Sequence, residues 1–116
     1  MPPRGDPRLH ADDILQAIAN IEADRADLDF ERFAADRRVR QLVERNLEII
    51  SEASRRLPEQ EKATEPGTPW REIAGIGNVL RHDYGEIRPE VLWGVRTHRL
   101  AALKASVERI RARLGG

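Results

Sequence analysis

The chain has no cysteine, so neither a disulfide framework nor thiolate chemistry is open to it, and a structural zinc site is disfavoured. Aromatic residues are scarce, at 4%, which leaves little ring area for a large core. No excess of one charge exists either. Lys and Arg number 20 against 20 Asp and Glu, so the bulk positive field of an indiscriminate nucleic-acid binder is missing and only a local basic site is open. No apolar run approaches the roughly 18 residues of a membrane span, and the start MPPRGDPRLH has no apolar stretch behind its basic residue. A soluble cytoplasmic protein that keeps clear of membranes is expected. At 116 residues, positions 1–116 form one domain with one core.

What the sequence does contain is helical periodicity. Asp6 and Pro7 supply a helix cap and a first-turn proline, opening a segment to about Asp27 in which Ala11, Ile14, Leu15, Ile18 and Ile21 share a face. Phe30 and Phe33, behind a cap at Asp29, predict a short helix that plugs the bundle's end. From Asp36 to Leu57, Val39, Leu42, Val43, Ile49, Ile50, Ala53 and Leu57 follow the 3.6-residue period. Asn46 falls inside that face and is read as structural, either a core amide bonding across helices or a register device. The segment LPEQEKATEPGTPW has no apolar period and predicts a loop. Thr68 and Pro69 open a third helix, with Ile73, Ile76 and Leu80 on one face, ending near Tyr84 or Gly85. A last helix runs from Arg88 to Leu114. The fold class is therefore all-α, an antiparallel up-and-down four-helix bundle with a short extra helix. With so few large rings, burial is expected to be completed in a homodimer.

Chemistry is sparse in this pattern. The serines at 51, 54 and 106 lie in helices with no His in register, which argues against a serine nucleophile. His10, His82 and His98 fall in separate segments without Glu-x-x-His spacing, so no metal and no cofactor is expected. In the third helix Arg71, Gly75, Asn78 and His82 stack on one stripe, almost opposite Ile73, Ile76 and Leu80. A solvated polar face is the plain reading of that stripe. Two helix-interior glycines, Gly75 and Gly77, argue instead for close approach of a backbone or ligand, since each costs about 1 kcal/mol relative to Ala. Histidine, with an ordinary pKa of about 6.5, can move a proton near neutral pH, as metal-free RNA cleavage by the 2′-hydroxyl requires. His82 is the candidate base, and Arg71 and Arg81 are candidate phosphate-binding residues.

The stretches RNLEIISEASRRL, PWREIAGIGNVLRHDYGEI and VLWGV resemble the HepT-like branch of the HEPN proteins, from about Arg8 to Leu114. The resemblance implies the toxin ribonuclease of a type VII toxin-antitoxin pair, a homodimer with a composite site at its interface. Its implied antitoxin partner is a minimal nucleotidyltransferase, and its substrate is RNA. The family signature is an Arg, a polar residue, a His within four to six residues and a Tyr shortly after. Carried over, Asn78 is the polar residue, His82 the catalytic His and Tyr84 the tyrosine that receives AMP.

The signature Arg does not carry over, because Gly77 stands immediately before Asn78. Losing a cation that holds the scissile phosphate typically costs several kcal/mol of barrier. The chain thus reads as an RNA endonuclease by ancestry, attenuated or inactive through Gly77. The competing class is a non-catalytic protein that binds a nucleotidyltransferase antitoxin. Arg81 points roughly 100° away from His82 and Arg71 lies about 16 Å along the axis, so neither is a ready replacement within one chain. Helix propensity alone predicts that Gly77→Arg is at least as stable as the parent.

Overall fold

The structure is a computed structural model that describes residues 5–23, 28–82 and 89–115. Among the described residues all regular structure is helical: α1 (Pro7–Ala23), α2 (Phe30–Ala35), α3 (Arg37–Arg56), α4 (Glu59–Lys62), α5 (Trp70–His82), α6 (Pro89–His98) and α7 (Leu100–Leu114). The helix starts follow the side-chain chemistry of their flanks. Asp6 accepts from the backbone N–H of Arg8 at 2.9 Å, Asp29 from Arg32 at 2.8 Å and Asp36 from Val39 at 3.2 Å. Each carboxylate satisfies an N–H that the helix itself leaves without a partner.

Helix α3 is the centre of the bundle, with α1 on one side and α5 on the other, and α7 packs on α1. Ile14, Ile18 and Ile21 of α1, Val43 and Ile50 of α3, and Val107 and Ile110 of α7 are almost completely removed from water. Asp12, early in α1, pairs with Arg111, late in α7, at 2.8 Å, and Glu22, late in α1, pairs with Lys104, early in α7, at 3.3 Å. These two crossings make α1 and α7 antiparallel. Asn46 is buried, donates to Leu42 O at 2.8 Å and accepts from Asn20 of α1 at 3.1 Å. It is a satisfied amide joining two helices, the first of the two structural roles that its position in the apolar face allows.

Three local features differ from the periodic pattern. The expected last helix is two, because Arg99, at φ −112°, separates α6 from α7. The bonds Arg99 N to Val95 O and Leu103 N to Arg99 O persist, so α6 passes into α7 without a loop. Phe33, fully buried, and Phe30 both lie against Trp93 of α6, with ring centroids 5.2 and 6.0 Å away, so the rings fasten α2 to α6. The expected first-helix end near Asp27 lies outside the described residues, as do Tyr84 and Gly85 at the expected end of the third helix.

The third difference is the proline-bearing connection, which is pinned rather than loose and contains the turn α4. Lys62 is buried and donates to Ser54 O at 3.0 Å, and the Trp70 indole N–H bonds to Lys62 O and Glu65 O at 3.1 and 3.2 Å. Thr68 and Ser106 share a hydroxyl bond of 2.7 Å. Glu65, itself buried, accepts from Arg109 at 2.9 and 2.6 Å and from Arg113 at 3.2 Å. The Arg109 hydrogen bond holds the Glu65 carboxyl below its ordinary range; burial opposes this and Arg113 reinforces it. A carboxyl lowered in the folded state adds stability above its unfolded pKa and loses that contribution as pH falls through the folded value. The thermal midpoint of the parent should therefore fall more steeply than that of Glu65→Gln when pH is lowered below about 4. Parallel curves for the two proteins would show that Glu65 carries no such linkage.

Candidate functional site

The surface where α5 meets α3 brings together several of the residues singled out by sequence. Ile73 is buried and Ile76 packs against the core, while Arg71 and Asn78 are exposed and Gly75 is half-buried. A side-chain carbon added at Gly75 would meet no atom within 4 Å, so that part of the stripe is open. Arg71 stands on the first turn of α5, two turns before Asn78. His82 is the last residue of α5, four positions beyond Asn78 and so about 6 Å further along the axis. The side chains of His82 and Arg81 and the whole of Tyr84 lie outside the described residues.

Gly77 is buried against α3, in contrast to the exposed Asn78 beside it. The hydroxyl of Ser51, almost wholly buried, accepts from Gly77 N at 3.0 Å and donates to Ala74 O at 2.7 Å. One side chain of α3 thus bridges two backbone groups of α5 that are three residues apart. Such a contact demands that the two helices approach closely, and the absence of a side chain at position 77 fits that demand. The same burial argues against the expectation that Gly77→Arg would be at least as stable as the parent. Helix propensity favours the exchange by about 1 kcal/mol, but a long side chain rooted in a packed interface displaces its neighbours, typically at 1–3 kcal/mol.

Arg55, one turn beyond Ser51 on α3, reaches the same carbonyl. Its Nε and Nη2 donate to Ala74 O at 3.2 and 2.7 Å, and Nη2 also donates to Asn78 Oδ1 at 3.4 Å. Its Nη1 lies 3.7 Å from the Glu52 carboxylate, and the side chain is 34% exposed. Sequence reasoning passed over Arg55 and read Ser51 only as a poor nucleophile. The available signal was their spacing of four on the edge of α3, which places both on one side of that helix.

Two open cavities flank this surface. One of about 490 Å³ lies between α1 and α3, beside His10, Asp13 and Glu52. The other, of about 1110 Å³, lies among α5, α6 and α7, beside Ile73, Ile76, Val95 and Leu103. No cluster of three or more metal-ligating side chains occurs among the described residues, and among them no helix is long and apolar enough to cross a membrane.

Residues 14–110 match the family described as Ribonuclease HepT-like. A Thermococcus cleftensis protein named "Probable ribonuclease HepT" is 37% identical over 107 residues, covering 90% of this chain and 97% of the relative. A Methanocaldococcus jannaschii protein named "Putative RNase MJ1380" is 33% identical over 96 residues, covering 83% and 88%. A third relative, "Putative RNase TTE0752" of Caldanaerobacter subterraneus subsp. tengcongensis, is 30% identical over 104 residues, covering 90% and 93%. No solved structure matches the chain at a significant level.

Proposed function

Because the chain belongs to the HepT-like ribonuclease family, we propose that it is the toxin subunit of a HEPN and minimal-nucleotidyltransferase toxin-antitoxin pair, an RNA endonuclease that acts in the cytoplasm as a homodimer. The observation that carries this reading is the outward stripe of α5, where Arg71, the open Gly75 and Asn78 lead to His82 one turn further on. A second copy facing this stripe would place two His82 residues along one RNA strand.

In this reading His82 takes the proton from a ribose 2′-hydroxyl, and the freed 2′-oxygen attacks the adjacent phosphorus. The bond from phosphorus to the 5′-oxygen breaks, and that oxygen leaves with a proton. The products are a 2′,3′-cyclic phosphate and a 5′-hydroxyl. Asn78 orients the phosphate or ribose by hydrogen bonding, and Arg71 and Arg81 stand as charge near the strand. The antitoxin transfers AMP from ATP to the Tyr84 oxygen with release of pyrophosphate, which sets a phosphate charge beside the site and repels the RNA backbone.

The test is cleavage of RNA by the purified chain in excess EDTA, with the product ends identified. Cyclic phosphate ends support the proposal. Intact protein mass after incubation with a nucleotidyltransferase antitoxin and ATP should show an AMP adduct that Tyr84→Phe removes; an adduct that survives in that variant moves the acceptor elsewhere. Gly77, without charge at the family's arginine position, favours a second reading as a non-catalytic antitoxin-binding protein. Adduct formation without any cleavage would select it.

A further inference from the structure

We propose that Arg55, presented from α3, is the residue that holds the scissile phosphate, so that the cation missing from α5 at position 77 is supplied by the neighbouring helix. The inference rests on the RNA-cleaving reading of the α5 stripe and adds to it a residue outside the family signature.

The donor arithmetic carries it. A guanidinium has five N–H groups in a planar fork. In Arg55 the Nε hydrogen and one Nη2 hydrogen go to Ala74 O, and the second Nη2 hydrogen goes to Asn78 Oδ1. The two hydrogens of Nη1 remain, on a side chain that is 34% exposed, and the Glu52 oxygen at 3.7 Å is beyond hydrogen-bond distance. The plane of the fork is thus fixed by a backbone carbonyl and an amide, neither of which carries charge, while its outer edge is left to bind.

The local charge balance points the same way. The Glu52 carboxylate is hydrogen-bonded to Arg56, whose Nε and Nη2 lie 3.2 and 3.1 Å from Oε1. One carboxylate therefore faces two guanidiniums, and the cluster keeps a net positive charge beside Asn78. A phosphodiester oxygen is the ligand that a fixed, planar, partly uncompensated guanidinium edge recognises best. The buried Gly77 belongs to the same arrangement. Ser51 against its backbone N–H holds α3 close to α5, and Arg55 stands one helical turn further along α3. An Arg at 77 would root its side chain in the interface that the Ser51 hydroxyl already joins.

The experiment uses two RNA probes and the full chain. A fluorescein-labelled 2′-O-methyl RNA oligonucleotide, which lacks the attacking hydroxyl, reports binding by anisotropy across a salt series. The matching unmodified RNA reports cleavage. Arg55→Gln is expected to weaken binding by roughly tenfold and to flatten the salt dependence by about one charge, and to slow cleavage by about 10²-fold. Arg55→Lys should restore the salt slope but only part of the cleavage, because a point charge replaces the fork. Glu52→Gln, which removes the competing carboxylate, should bind more tightly than the parent, and this arm holds even if Arg55→Gln folds poorly.

If the parent cleaves RNA and Arg55→Gln does so at the same rate with an unchanged salt slope, the assignment of Arg55 falls and the ribonuclease reading stands. If the parent binds in an Arg55-dependent way without cleaving, the ribonuclease reading falls and the phosphate site stands. No binding of either probe by the parent would overturn both.

Discussion

Replacing His82 with Ala is expected to slow RNA cleavage by about 10²–10⁴-fold, the range that a positioned general base supplies. No other His lies on the α5 stripe: His10 is buried in α1, and His98 belongs to α6. The loss should therefore fall on the chemical step and leave RNA binding nearly intact, because a neutral imidazole adds little to phosphate affinity. The thermal midpoint is expected to stay close to that of the parent, since among the described side chains of α5 those on the core are Trp70, Ile73 and Ile76, all before its last turn. The same assay with the 2′-O-methyl probe separates the two effects. Equal cleavage by parent and variant would show that the proton goes elsewhere.

The second large effect is expected at Gly77. Gly77→Arg should lower stability by up to about 2 kcal/mol, since overpacking costs about 1–3 kcal/mol and helix propensity returns about 1. In a chain of this size that is a fall of several degrees in the unfolding midpoint. The cause can be isolated with a second substitution, because the Ser51 hydroxyl occupies the space beside the Gly77 backbone. Ser51→Gly alone should also destabilise, by losing the bridge to Ala74 O and by adding a flexible residue to α3. Combined, the two changes should cost less than their sum, with a favourable coupling of about 0.5–3 kcal/mol. Strict additivity of the three unfolding free energies would mean that position 77 and Ser51 do not share a volume. A fully stable Gly77→Arg single variant would show that α5 can move aside without help.

Much of the scaffold was legible because it is periodic. The Asp29 cap, the apolar face of α3 and the burial of Asn46 each follow from local spacing plus the need to satisfy a buried polar group. The break at Arg99 was not legible, since no Pro or Gly marks it and both flanking backbone bonds are kept. The pinned connection escaped for another reason: Glu65 is held by Arg109, more than forty positions away, and no local period encodes such a pair. At the candidate site, Asn78 and His82 could be read along one helix, whereas Arg55 could not. Its tie to Asn78 spans twenty-three positions and exists only once α3 and α5 are packed. Neither helix carries the pair alone, so a search along either one stops at Gly77 and finds a gap.

The anchoring of Trp70 has a mechanical consequence for the site. With its indole tied to Lys62 O and Glu65 O, α5 is clamped at its first turn, while His82 stands at the opposite end, about 18 Å away. A rod held at one end magnifies any tilt: about 5° at the clamp would carry the tip through about 1.5 Å, more than the roughly 1 Å misplacement that can cost a reaction 10²-fold. Ser51 and Arg55 grip the rod partway along, at Ala74, Gly77 and Asn78, and convert a cantilever into a beam with two supports. The aim of the last turn is then set at two distant places, one of them the polar connection before Trp70, far from any reacting atom.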